Sequence, residues 1–123
     1  RWFADGVSVE SLTKAPMLRF NRKDELQAGW MQQRFQKTVM PPYHTLPSTA
    51  AFTRAAELGM GWGMIPEPMI ARQLAHKTLS PLDACATYDM ALYVQHSRML
   101  AGPLAPLLQA LKQSAKDVLQ PIP

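Results

Sequence analysis

Residues 43–66 read YHTLPSTAAFTRAAELGMGWGMIP, and the order of signals in them decides the architecture. Tyr43-His44-Thr45-Leu46 is a short β-prone run that Pro47 ends, since proline has no N–H for a ladder. Ser48 or Thr49 then caps a helix running to Leu58, with Phe52, Ala55 and Ala56 at i, i+3, i+4 on one face. Gly59 suits the left-handed position just past a helix. Gly61 to Ile65 is expected as the next strand, and Pro66 as its end. Strand, helix and strand in succession predict an open α/β sheet.

The same alternation extends outward. Asp5-Gly6 marks a turn, and Ser8 caps a short helix with Val9 and Leu12 on one face, ending near Lys14. Pro16 breaks it, and Met17-Leu18-Arg19-Phe20 reads as a strand. Asp24 to about Phe35 are helix formers, with Leu26 and Trp30 on the inner face and Met31 and Phe35 off it. Val39-Met40-Pro41-Pro42 is a linker. Glu67-Pro68 opens another helix, proline near N1 and Ile70 and Leu74 facing inward. Leu79 to Leu82 is expected as a short edge strand. Met90-Ala91-Leu92-Tyr93-Val94 is apolar on both faces, as in a central strand. After Gly102-Pro103, Leu104, Leu107, Leu108, Leu111, Ala115, Val118 and Leu119 keep helical spacing.

Composition bounds the function. The chain has 123 residues, 47% hydrophobic and 18% charged, within the globular range and enough for one domain. No apolar run approaches the ~18 residues of a membrane span. A single cysteine, Cys85, excludes an intrachain disulfide framework and a multi-cysteine zinc site. The net charge of +4 invites a nucleic-acid reading, but Arg19, Arg22 and Lys23 are followed at once by Asp24 and Glu25. No basic stripe with interleaved aromatics results, so the charge reads as a solvated surface.

The chemical motifs are few. Gly59-Met60-Gly61-Trp62-Gly63 follows a helix and leads into a strand, the reverse of a phosphate-binding loop, and reads as a helix stop with close backbone packing. His44, His76 and His96 lack metal-ligand spacing; His44 and His96, in or near strands, are expected to be satisfied by local hydrogen bonds. Ser48 has no nucleophile-elbow pattern, and Cys85 has no neighbour to lower its pKa. No catalytic set emerges, so an enzyme is not expected. Ser48-Thr49 is the site with a physical argument: it lies where a strand's carboxyl end meets a helix's first turn, and free N–H groups there favour a carboxylate or other anion. Helix capping alone also accounts for both residues. Asn21 to Asp24 forms a second such turn. Its Asp24 suits a cationic group, or serves as an N-cap.

FADGV (3–7), KAP (14–16) and FNRKD (20–24) with Leu26-Gln27 resemble LysR-type transcriptional regulators. More narrowly, they resemble the basic-amino-acid-responsive branch, the arginine/lysine exporter regulators also described as inhibitors of chromosome replication initiation. Ser48-Thr49, Phe52, Ala56, Gly59, Gly61 and Met64-Ile65-Pro66 fit the same pattern. The resemblance implies a longer cytoplasmic regulator with an amino-terminal winged helix-turn-helix and a two-lobed effector domain like the type 2 periplasmic binding proteins. Residues 1–86 would then be the second lobe, and 87–123 the strand and helix returning to a first lobe outside this chain. It further implies an effector, lysine or arginine, held between lobes by Ser48, Thr49, Asn21 and Asp24. Self-association as a dimer or tetramer is implied too, with DNA contact through the amino-terminal domain only and no cofactor. The competing reading on the same fold is one lobe of a transporter's periplasmic solute-binding protein.

Overall fold

A computed structural model describes residues 2–83 and 87–121. Cys85 lies outside the described residues. The chain divides into two units, residues 1–86 and 87–123.

In the first unit, Ser8 caps α1 (Val9–Lys14) as its signals predict: its hydroxyl accepts from the Ser11 N–H while Ser11 reaches back to the Ser8 N–H, a reciprocal capping box. β1 (Met17–Arg19) and β2 (Tyr43–Thr45) pair in parallel, with Met17 opposite Tyr43, Leu18 opposite His44 and Arg19 opposite Thr45. Between them runs α2 (Leu26–Phe35). Its buried residues are Gln27, Trp30 and Met31, again i, i+3, i+4, so Met31 belongs to the inner face and the anchor of the stripe is polar. Trp30 packs against Trp62 with ring centroids 5.5 Å apart and planes tilted by 58°, and it meets Phe35 edge-on at 6.0 Å.

Thr49–Glu57 form α3, and its buried Phe52 and Ala55 pack with Leu18, while Leu46, Ala56 and Ile65 close around them. The helix ends as expected at Gly59. At φ +70° Gly59 donates to Ala56 O while Met60 donates to Ala55 O, the paired bonds of a Schellman motif. α4 (Glu67–Ala75) follows with Pro68 in its first turn, where no intrahelical N–H is needed; Ile70 and Leu74 are half-buried.

Three expected strands are corrected. Gly61–Ile65 contributes one parallel bridge, Trp62 to Met17, rather than a strand. Trp62 donates to Pro16 O and accepts from Leu18 N–H, but the Leu18 carbonyl that would carry the ladder onward accepts from the Gln27 side chain at 2.8 Å. Leu79–Leu82 and Met90–Val94 form no strand among the described residues. A strand exists by pairing, and apolar character without an adjacent edge does not make one.

The second unit holds a 3₁₀ turn (Arg98–Leu100) continuous with α5 (Ala101–Val118). α5 starts three residues before Leu104 because Pro103 falls in the first turn, where helix N–H groups have no partner anyway. No helix among the described residues is long and apolar enough to cross a membrane.

Candidate functional site

The parallel register brings two turns to one edge of the sheet. Arg19 and Thr45 are opposite, and Leu46 N–H extends the ladder by donating to Arg19 O at 2.9 Å. The chain beyond β1 and the chain beyond β2 therefore leave from neighbouring carboxyl ends, where ligands settle in open α/β sheets. Asn21 and Asp24 lie on the first turn, Ser48 and Thr49 on the second.

In the second turn Ser48 is the N-cap of α3, its hydroxyl accepting from the Ala51 N–H at 3.4 Å and its carbonyl from Phe52 N–H at 2.8 Å. The N–H groups of Thr49 and Ala50 precede the first intrahelical bond and have no helical acceptor. Ser48 and Thr49 are both exposed. The long Ser48 cap bond leaves that hydroxyl only partly committed.

The first turn is more tightly tied. Asn21 Oδ1 accepts from Lys23 N–H at 2.7 Å, and its carbonyl accepts from Asp24 N–H at 3.2 Å. Asp24 Oδ2 accepts from Phe20 N–H at 2.8 Å, and Oδ1 from Leu26 N–H at 3.3 Å. Asp24 thus closes its own turn and satisfies an orphan donor at the start of α2, whose geometric cap, Glu25, makes no such bond. Arg22 and Lys23 are exposed.

Two features escape motif reading. Gln27, 1% exposed, donates Nε2 to Leu18 O at 2.8 Å and lies 3.5 Å from Asp24 Oδ2, joining the strand end to the turn. Its signal is a polar residue three beyond Asp24 that shares helical spacing with Trp30 and Met31. Arg19, at the strand end, stacks its guanidinium 3.5 Å from the Tyr43 ring centroid and donates Nε to Thr45 Oγ1 at 3.2 Å. Only the register shows that neighbourhood.

The glycine run performs the packing role expected of it. A Cβ at Gly61 would collide with the Pro16 carbonyl oxygen, and one at Gly63 would come within 2.5 Å of Phe52 Cζ. Of the histidines, His76 Nδ1 lies 2.8 Å from Arg72 O and His96 Nδ1 lies 3.1 Å from Ser97 O, while His44 is an exposed residue of β2. His96 lies beside the 3₁₀ turn and not beside a strand. No cluster of metal-ligating side chains occurs among the described residues.

Residues 3–116 match the LysR substrate-binding domain family. The HTH-type transcriptional regulator LysG of Mycobacterium tuberculosis (strain H37Rv) is 33% identical over 119 residues, covering 96% of this chain and 39% of LysG. The solved C-terminal domains of a LysR family protein from Agrobacterium tumefaciens are 41% identical, with a TM-score of 0.91 over 97% of this chain and 57% of that one. Full-length LysG from Corynebacterium glutamicum, solved with bound effector Arg, is 28% identical with a TM-score of 0.66, covering 89% of this chain and 38% of that one. The chain thus spans about two fifths of the length of the curated relatives it matches. Those relatives are transcriptional regulators, not enzymes, and their effector-binding domains share the type 2 periplasmic-binding-protein-like fold. By sequence match and by fold, the chain belongs to the LysR substrate-binding domain family.

Proposed function

We propose that this chain is effector-sensing sequence of a basic-amino-acid-responsive LysR-type regulator in the cytoplasm. Residues 1–86 supply one lobe of the effector cleft, and residues 87–123 return to the other. The observation that carries the site is the pairing of two unlike turns at one sheet edge. One offers free N–H groups and hydroxyls at Ser48-Thr49, the other a carboxylate at Asp24 beside Asn21. An amino acid with a cationic side chain presents the complementary charges. Its carboxylate meets the start of α3 and its cationic end meets Asp24, with Asn21 adding an uncharged hydrogen bond. The bound arginine of the Corynebacterium relative supports this ligand class.

Signalling follows from differential affinity. An effector that binds one arrangement of the two lobes better shifts the population toward it, and a dimer or tetramer passes that bias to DNA-binding domains encoded outside this chain. The matches to LysR regulators favour this reading over a transporter's solute-binding lobe.

Calorimetry with lysine, arginine and norleucine on the full-length protein tests it. Asp24→Asn is expected to weaken lysine and arginine while sparing norleucine. Unchanged lysine and arginine binding would move the charge contact to the other lobe.

A further inference from the structure

Asp24 has less to offer a ligand than a free carboxylate. A carboxylate accepts at about four lone-pair positions, two on each oxygen. Oδ2 takes the Phe20 N–H at 2.8 Å and faces the Gln27 amide nitrogen at 3.5 Å, and Oδ1 takes the Leu26 N–H at 3.3 Å. That leaves one position, on Oδ1.

Gln27 is not free to swing aside. It is 1% exposed, and the same amide nitrogen holds the Leu18 carbonyl at 2.8 Å. Its Oε1 is buried without a partner. Turning the amide over would set that oxygen against the Leu18 carbonyl, so the acceptors around it fix the orientation.

A guanidinium grips a carboxylate with two parallel N–H bonds, one to each oxygen, whereas an ammonium needs a single lone pair. We propose that Gln27 restricts Asp24 to one hydrogen bond with the effector's cationic end, so that the site takes ammonium and guanidinium on equal terms. Gln27 is then a positioning residue that sets the balance between lysine and arginine without touching either. The proposal rests on the assignment of Asp24 to the cationic group.

The test is calorimetry of lysine and arginine on the full-length protein, its Asp24→Asn variant and its Gln27→Ala variant. With one bond to lose, Asp24→Asn lowers both affinities by about tenfold, the two losses agreeing within about twofold. Gln27→Ala removes both the amide donor and the bulk beside Oδ2, and the ratio of arginine to lysine affinity rises about fivefold. A merely structural role for Gln27 would weaken both ligands and leave that ratio alone. If Asp24→Asn costs arginine about tenfold more than lysine, or Gln27→Ala leaves the ratio at its wild-type value, the restriction is wrong while Asp24 remains an effector contact. If Asp24→Asn alters neither ligand, the effector assignment of Asp24 falls and takes the proposal with it. Should Gln27→Ala fail to fold for want of a partner on Leu18 O, the two Asp24→Asn losses decide the matter alone.

Discussion

Gly63 lies against the ring of Phe52, so close that a Cβ on residue 63 would stand 2.5 Å from Cζ and 2.7 Å from Cε1. Phe52 is the largest side chain of the cluster with Leu18 and Ala55, and α3 carries it there from the turn that begins at Ser48. The glycine run therefore governs how the helix bearing half of the proposed site seats on the sheet.

Gly63→Ala is expected to destabilise the protein by about 2 kcal/mol, the cost of forcing an extra carbon into a filled core. Phe52→Leu should relieve part of that cost, so the double variant will be more stable than the two single losses added together. Gly61→Ala should cost more, because its Cβ meets the Pro16 backbone oxygen, which has no rotamer to change. Urea denaturation of the variants measures all of these. Additive losses at 52 and 63 would show that the two do not share the strain.

Gly59 separates conformation from space. It has φ +70° and nothing within 4 Å of a built Cβ, so Gly59→Ala carries only the left-handed backbone cost, about 1 kcal/mol. Gly59→Asn should cost less, since asparagine tolerates that region. Denaturation midpoints in the order Gly, Asn, Ala check it.

Ser48 and Thr49 should divide stability from binding. Ser48→Ala removes the N-cap acceptor at 3.4 Å from Ala51 N–H and should cost about 0.5–1 kcal/mol of stability. Thr49 is exposed at the first position of α3, so Thr49→Ala should leave the denaturation midpoint in place. The same change should weaken lysine, arginine and norleucine alike, by about 1–2 kcal/mol for a hydrogen bond to a carboxylate. A thermal melt paired with calorimetry reads both effects. A Thr49→Ala loss confined to the basic ligands would contradict a carboxylate contact.

What could be read from the sequence was what is decided locally. Ser8, Ser48, Gly59 and Pro68 each act within one turn of helix, and each stands where its chemistry predicts. β1 and β2 were legible because Pro16 opens one short β-prone run and Pro42 and Pro47 bracket the other. The Gly61–Ile65 strand was misjudged because its partner carbonyl, on Leu18, is taken by Gln27 from another helix, an event no local pattern carries. Gln27 itself was hidden by being polar: a stripe read through apolar residues misses a buried amide. Met90–Val94 is apolar but has no strand edge among the described residues to pair with. At the site, the residue types of Asp24 and Ser48 were legible. The Arg19–Tyr43–Thr45 neighbourhood was not, because register alone creates it.

Glu10 gives a pH dependence with a definite sign. Lys14 Nζ stands 2.6 Å from its carboxylate, and that hydrogen bond and charge hold the Glu10 pKa below its ordinary 4.5. A carboxyl whose pKa is lower in the folded state adds stability that is present above its unfolded value and lost as pH falls through the folded one. Both partners are exposed, so the effect is small and screened by salt. Glu10→Gln should lower the melting temperature slightly at pH 7 in low salt and leave it unchanged at pH 2. A difference that persists at pH 2 would assign the loss to the side chain and not to its charge.

The last prediction concerns residues 87–121. α5 carries Leu107, Leu111 and Val118 at helical spacing, and they are 56%, 47% and 61% exposed. Met90, Leu92, Tyr93 and Val94 are exposed as well. Exposed apolar side chains in this number are poorly tolerated by water, and burying one leucine more fully is worth about 1–2 kcal/mol. The 123-residue chain by itself should therefore bind a hydrophobic dye and gain mass with concentration in sedimentation equilibrium. Leu107→Gln with Leu111→Gln removes the centre of the stripe while keeping good helix formers, so both signals should fall without loss of helical circular dichroism. The full-length protein should bind less dye per chain, because the proposed first lobe covers the same surface. A 123-residue chain that remains monomeric and dye-free at high concentration would show that these leucines need no cover.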